Sequence, residues 1–175
     1  KKAVQDLKIE SAYVKLLQEI AMAANNSKTI EDAAQIALDK ICEHTHWPVG
    51  HLYIIDKTNP RKLLTTKIWH LDHPEAFKTF KDVTEHTDMD FGIGLPGRIL
   101  ESWTPAWIPD VTKDTNFPRN KVLEDIGVKA GFGFPIMLGD SVLGVLEFFS
   151  KEVIEKPDEQ LLEVTSNIGT MLGRV

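Results

Sequence analysis

A single cysteine, Cys42, stands among the 175 residues of this chain. An internal disulfide framework and a cysteine-rich zinc site are both excluded by that count, and a lone thiol fits a reducing compartment. No apolar run approaches the roughly 18 residues expected of a membrane-spanning helix. Positive charge is also short, with 20 Lys and Arg against 26 Asp and Glu and a formal net charge of −6. Nucleic acid and anionic membranes are bound by clustered Lys and Arg, so neither is expected as a partner. Lys1 is not a methionine and no signal-peptide pattern follows it, so we expect a cytoplasmic piece cut from a longer protein. What remains, 42% apolar and 26% charged residues, is ordinary for one globular domain with a real core.

Periodicity divides the chain. Ala3, Leu7, Val14, Leu17, Ala21 and Ala24 form an amphipathic seam at spacings of three and four, broken only by Glu10, and predict a helix over about 3–25. Ser27 or Thr29 can cap a second helix, with Glu31 and Asp32 in its first turn, that Trp47-Pro48 stops. The period then changes to two. Val49 to Asp56 and Leu63 to His70 read as strands joined by Lys57-Thr58-Asn59-Pro60-Arg61. An irregular middle follows, with short helices expected around Glu75 to Lys81, Leu95 to Trp103 and Asn120 to Ile126, and a short strand at Ala106 to Ile108. The clearest strands are Ala130 to Leu138 and Ser141 to Ser150, turning at Gly139-Asp140. A last helix spans about 158–173, with Leu161, Leu162, Thr165, Ile168 and Leu172 on one stripe. Hairpins without βαβ crossovers predict an α+β fold on an antiparallel sheet, a single domain over 1–175 whose core lies at about 29–150.

Chemistry-bearing motifs are sparse. Gly92-Ile93-Gly94-Leu95-Pro96-Gly97 matches the dinucleotide pattern G-x-G-x-x-G, but the polar Thr84 to Phe91 before it is no buried parallel strand. The surviving expectation is that an anionic group could sit at this helix start beside Arg98. His44 and His46, and His70 and His73, lack the spacing of a strong metal motif, so no metal site is expected. A haem held by one histidine is compatible with the sequence, although nothing favours it. No catalytic constellation is present, and Cys42 falls in a helical apolar pattern. On the strands, strict alternation puts His51 and Tyr53 on one face, and Val145, Glu147 and Phe149 on one face. If those strands are neighbours, His51, Tyr53 and Glu147 share a mixed aromatic and polar face. Such a face either lines a small-molecule pocket or is a partly solvated sheet surface.

Five stretches together resemble a known family. They are Gly94-Leu95-Pro96-Gly97-Arg98, Trp107-Ile108-Pro109-Asp110-Val111, Asp114-Thr115-Asn116-Phe117-Pro118-Arg119, Gly131-Phe132-Gly133-Phe134-Pro135-Ile136 and Gly144-Val145-Leu146-Glu147-Phe148-Phe149. Their order and content resemble a GAF domain, most of all those of bacterial sensor histidine kinases and diguanylate cyclases, from about Ala12 to Leu172. The resemblance implies a six-stranded antiparallel sheet with the first strand beside the last. Terminal helices would cover one face, and a loop-roofed ligand pocket the other. It implies a non-catalytic sensory module of a two-component or similar pathway that binds a small molecule and signals to a covalently linked output domain. The alternative is a ligandless structural dimerisation module. Pocket candidates are His51, Tyr53, Trp69, Arg98 and Trp107, together with Asp110, Phe117, Phe132, Phe134 and Glu147. A homodimer is implied, with Leu7, Val14 and Leu17 and the stripe of Leu161, Ile168 and Leu172 as its surfaces. The ligand stays unassigned. The stretch Ser150-Lys151, Ile154, Asp158-Glu159 departs from the family's cyclic-nucleotide pattern. Cys42, in the second helix, departs from bilin attachment, and one cysteine is too few for the sulfoxide-reductase branch.

Overall fold

A computed structural model describes residues 2–121 and 127–175. The chain opens with α1 (Lys2–Asn26) and α2 (Ile30–Thr45), runs through β1 (Val49–Asp56) and β2 (Asn59–Leu71), and then α3 (Lys78–Thr84) and β3 (Met89–Asp90). It continues with α4 (Gly94–Ser102) and β4 (Ala106–Ile108), then two 3-10 turns at Val111–Lys113 and Pro118–Lys121. It closes with β5 (Gly131–Leu138), β6 (Ser141–Phe149) and α5 (Glu159–Leu172). Most of the turn expected at Asn120 to Ile126 lies outside the described residues.

Local chemistry accounts for the boundaries. The Thr29 hydroxyl accepts from the Asp32 amide and starts α2, and His46 ends that helix in the left-handed region at φ 63°. Asp158 caps α5 by accepting from the Leu161 amide. Two expectations shift. β2 begins at Asn59 rather than Leu63, because Asp56 folds the turn onto Thr58 and Asn59 pairs back with Asp56. α3 lies three residues beyond the expected start, and the two-residue β3 carried no periodic signal at all.

The sheet is antiparallel throughout, in the order β3-β2-β1-β6-β5-β4. β1 and β6 are therefore its paired central strands. On one face, Leu52, Phe132, Phe134, Ile136, Leu146 and Phe148 pack beneath α1, α2 and α5. Gly169 and Gly173 let α5 lie against β5, where any Cβ would overlap the carbonyl oxygens of Pro135 and Met137. On the other face, Val49, Tyr53, Leu63, Val145 and Phe149 pack beneath α3, α4 and the segment between β4 and β5.

The terminal helices divide differently from expectation. Leu161, Ile168 and Leu172 are buried in the chain's own core, a correction to their assignment as a dimer surface. The stripe of α5 is apolar because the sheet demands it. In α1 the core takes Tyr13, Leu16 and Ile20, while Leu7 and Val14 stay exposed and Leu17 is half-buried. Among the described residues no helix is long and apolar enough to cross a membrane.

His70 fastens α2 to the sheet. Its Nδ1 lies 2.8 Å from Asp39 and its Nε2 2.7 Å from Asp72. Burial alone would lower its pKa, but the hydrogen bonds and charges of the two carboxylates raise it overall. A raised folded-state pKa adds stability below the unfolded value and loses it as pH rises through the folded one. The stability advantage of the wild type over His70→Ala should therefore be largest near about pH 5.5 and shrink by about pH 9. Thermal melts of both proteins across that range check it; an advantage independent of pH would contradict the clamp.

Candidate functional site

Strand alternation and one pairing register build the site. β1 faces β6 so that His51 stands opposite Glu147 and Tyr53 opposite Val145, and β2 places Trp69 across from His51. These side chains leave the sheet on the face away from the long helices. The grouping of His51, Tyr53 and Glu147 expected from alternation is what the register makes. Glu147 is the anomaly, a carboxylate with no solvent exposure in a strand otherwise apolar around it. Such a group stays charged only when opposite charge and hydrogen bonds replace its lost water.

Arg119 supplies them. Its Nη1 donates to Glu147 Oε2 at 2.9 Å and its Nη2 to Oε1 at 2.8 Å, a bidentate pair with both side chains fully buried. Nη1 also reaches Thr84 Oγ1 at 3.2 Å. His51 Nδ1 lies 3.0 Å from Glu147 Oε2, and its Nε2 lies 2.9 Å from the Thr66 carbonyl oxygen. Burial would raise the Glu147 pKa, but Arg119, with His51 adding, holds the carboxyl below the usual carboxylate range. Aromatic rings surround the guanidinium. Its carbon is 4.6 Å from the Phe117 centroid, 5.2 Å from Phe80, 5.3 Å from Phe149 and 6.0 Å from Tyr53. The Tyr53 hydroxyl donates to the Thr87 carbonyl at 2.7 Å, and burial pushes its pKa up against the pull of Arg119.

The segment between β4 and β5 delivers Phe117 and Arg119, and it is pinned from outside. Arg98 grips Asp114 with both terminal nitrogens, at 3.1 and 2.9 Å, and donates to the Asn116 carbonyl at 2.8 Å. The Asn116 side chain accepts from the Gly94 amide and donates to the Gly92 carbonyl. The start of α4, expected to be open to an anionic ligand, is thus occupied by the chain's own Asn116. Gly92 and Gly94 adopt φ 79° and 70°, and Gly97 lies too close to the Asp90 carbonyl to carry a Cβ. The G-x-G-x-x-G run is a packing turn between β3 and α4.

Five of the ten pocket candidates come together: His51, Tyr53, Trp69, Phe117 and Glu147. Arg98 and Asp110 do not face the cluster; Asp110 caps the 3-10 turn at Val111–Lys113 by accepting from Thr112. Trp107, Phe132 and Phe134 require correction, because they lie on the helix-covered side. Trp107 stacks on Phe132 with centroids 5.7 Å apart, and its Nε1 donates to the Ile154 carbonyl. In Gly131-Phe132-Gly133-Phe134 the rings all point one way. The glycines face α4, where added Cβ atoms would meet Phe149 and Ile99. Arg119 was missed as a site residue, although it ends one of the recognisable motifs. The signal that could have found it is Glu147 itself, since a carboxylate inside an apolar strand needs a cation elsewhere in the chain. Cys42 lies on the helix side under Gly50, and burial pushes its thiol pKa up, with Asp72 and Asp39 adding.

A family model described as GAF domain matches residues 27–174. Similar folds occur among solved structures at low identity. The GAF domain of a phosphoenolpyruvate-protein phosphotransferase from Coxiella burnetii is 18% identical at a TM-score of 0.74, covering 94% of this chain and 92% of that one. The nlh2 GAF domain of A. aeolicus, solved in an inactive state, is 18% identical at 0.68, covering 94% and 95%. A free methionine-R-sulfoxide reductase from Neisseria meningitidis, solved with its substrate, is 15% identical at 0.72, covering 93% and 86%.

Because removing one partner strands a buried charge, Glu147→Ala should cost about 3–5 kcal/mol of stability. The double variant Arg119→Ala/Glu147→Ala should cost less than the sum of its two single variants. Urea unfolding of the wild type and the three variants measures both quantities; additive losses would mean that the pair is not coupled.

Proposed function

The chain belongs to the GAF domain family, and from that premise we propose that it is a non-catalytic sensory module of a bacterial signalling protein, acting in the cytoplasm. It binds a small molecule beneath α3, α4 and the β4–β5 segment, and relays occupancy through its terminal helices to a linked output domain. The buried Arg119–Glu147–His51 cluster carries this reading. For stability alone, a core gains as much from apolar side chains of similar volume. Ligand sites, by contrast, combine aromatic walls with a few converging polar groups.

A physical route to the helices supports the relay. The Ile154 amide donates to the Pro109 carbonyl at 3.1 Å, and the Ile154 carbonyl accepts from Trp107 at 3.0 Å. Ile154 lies between β6 and the Asp158 cap of α5, so the base of the roof segment is tied to the entry of that helix. The non-catalytic reading draws on Cys42. Structural relatives of this fold include reductases, but the one thiol here is buried across the sheet from the cluster. Ligandless dimerisation is the second reading, favoured by one observation: His51, Tyr53, Arg119 and Glu147 are already fully buried by the chain's own side chains. Native mass spectrometry of freshly purified protein separates the two. Sensing predicts a co-purifying small molecule, or a thermal shift with a member of a metabolite panel; neither being found would favour the structural reading.

A second copy of the chain fits the exposed stripe of α1. Leu7 and Val14 are one heptad apart, with half-buried Leu17 and Ala21 continuing the line, the spacing of a parallel helix pair. Sedimentation at micromolar concentration should give a dimer that Leu7→Asp/Val14→Asp converts to monomer. A wild type that is monomeric at every concentration would remove this interface.

A further inference from the structure

We propose that Arg119 is a built-in occupant of the ligand site, and that the ligand is a small organic cation with a guanidinium or primary ammonium head, which seats on Glu147 in its place. This deepens the sensory reading above and rests on it. The two partners of the pair stand on different kinds of element. Glu147, His51, Tyr53 and Phe149 stand on the two central strands, whereas Arg119 hangs from a 3-10 turn between β4 and β5. Without Arg119, the sheet presents a carboxylate whose Oε1, among the described residues, accepts from that guanidinium alone, walled by the faces of Tyr53, Phe80, Phe117 and Phe149. A carboxylate at the base of an aromatic cage selects a cation, because ring faces and carboxylate oxygens both attract positive charge.

The occupant also fits imperfectly. Arg119 is fully buried, yet among the described residues its Nε has no hydrogen-bond partner. A buried donor left open weakens the closed state relative to a head group that satisfies all its hydrogens or carries fewer. An anionic ligand is disfavoured by the same geometry. The terminal nitrogens of Arg119 are already engaged with Glu147, so an anion would first have to dislodge a side chain of a central strand. A competing cation leaves Glu147 in place and displaces the Arg119 side chain alone. The self-occupied form and the ligand-bound form are then two populations of one module, which the cation shifts by competing with Arg119.

Arg119→Ala opens the cage for a probe. Methylguanidinium at about 10 mM should raise the melting temperature of that variant by on the order of 3 °C over sodium chloride of equal ionic strength. Acetate and phosphate should not, and the rise should vanish in Arg119→Ala/Glu147→Gln. If Arg119→Ala does not fold in buffer, the same addition is read as recovery of near-ultraviolet circular dichroism on refolding from urea. Arg119→Lys, the milder change, is run beside it as a thermal titration. No cation-specific response in any of these overturns the proposal, as does an equal response in the double variant. Stabilisation of the wild type by anions alone also overturns it, by making Arg119 the receptor rather than the occupant. Those failures leave the sensory reading standing, because that reading falls only on the mass-spectrometry and metabolite-panel result.

Discussion

Glu147 sets the terms for half of the molecule. A carboxylate in the middle of a central strand, out of reach of water, stays ionised only with charge and donors brought to it. The chain answers with Arg119, 28 residues upstream, and with His51 from the neighbouring strand. Bringing a guanidinium to that point obliges the β4–β5 segment to fold inward over the sheet. Phe117 then packs beside the charge it accompanies. Arg98, Asp114 and Asn116 form the outer fastening, and the glycine turn before α4 gives Asn116 the backbone groups that it grips.

The two faces of the sheet consequently differ in kind. Beneath α1, α2 and α5 the packing is apolar and close, with glycines in α5 admitting the strand backbone and aromatic rings stacking along β5 and β6. That face carries the terminal helices, packed against the sheet. Beneath α3 and α4 the apolar shell encloses charge. In that dry setting each hydrogen bond of the cluster is stronger than it would be in water, and each unpaired member would be costly. Ile154 joins the two, since the strap between β6 and α5 is hydrogen-bonded to the base of the roof segment.

Legibility followed distance along the chain. The helix of α1, the start of α2 at Ser27 or Thr29, the β1 run and the β5–β6 hairpin were all visible in stretches of under thirty residues. Helix periodicity, caps and tight turns are decided by near neighbours. The grouping of His51 with Tyr53 and Glu147 needed one further piece of information, that the first strand lies beside the last, and the family resemblance supplied it. Aromatic content without a face assignment misled. Phe132 and Phe134 looked like pocket walls because aromatic side chains suit either face. What turned them toward the helices was the need of α4 for the small residues Gly131 and Gly133 beneath it. The stripe of Leu161, Ile168 and Leu172 had the right period for a dimer surface, yet the same period suits a helix laid on its own sheet. β3 is two residues long and exists only as a partner for β2, so no period could announce it.

The sequence by itself determined the α+β class, the antiparallel hairpins, the long terminal helices and the family, because each rests on short-range periodicity or on motifs read in order. Tertiary structure alone decided which face of each strand is buried under what, and which cation answers Glu147. Neither could be read locally. Face and charge partner are properties of contacts between segments tens of residues apart, and a buried ion pair is chosen by the geometry that brings its two ends together.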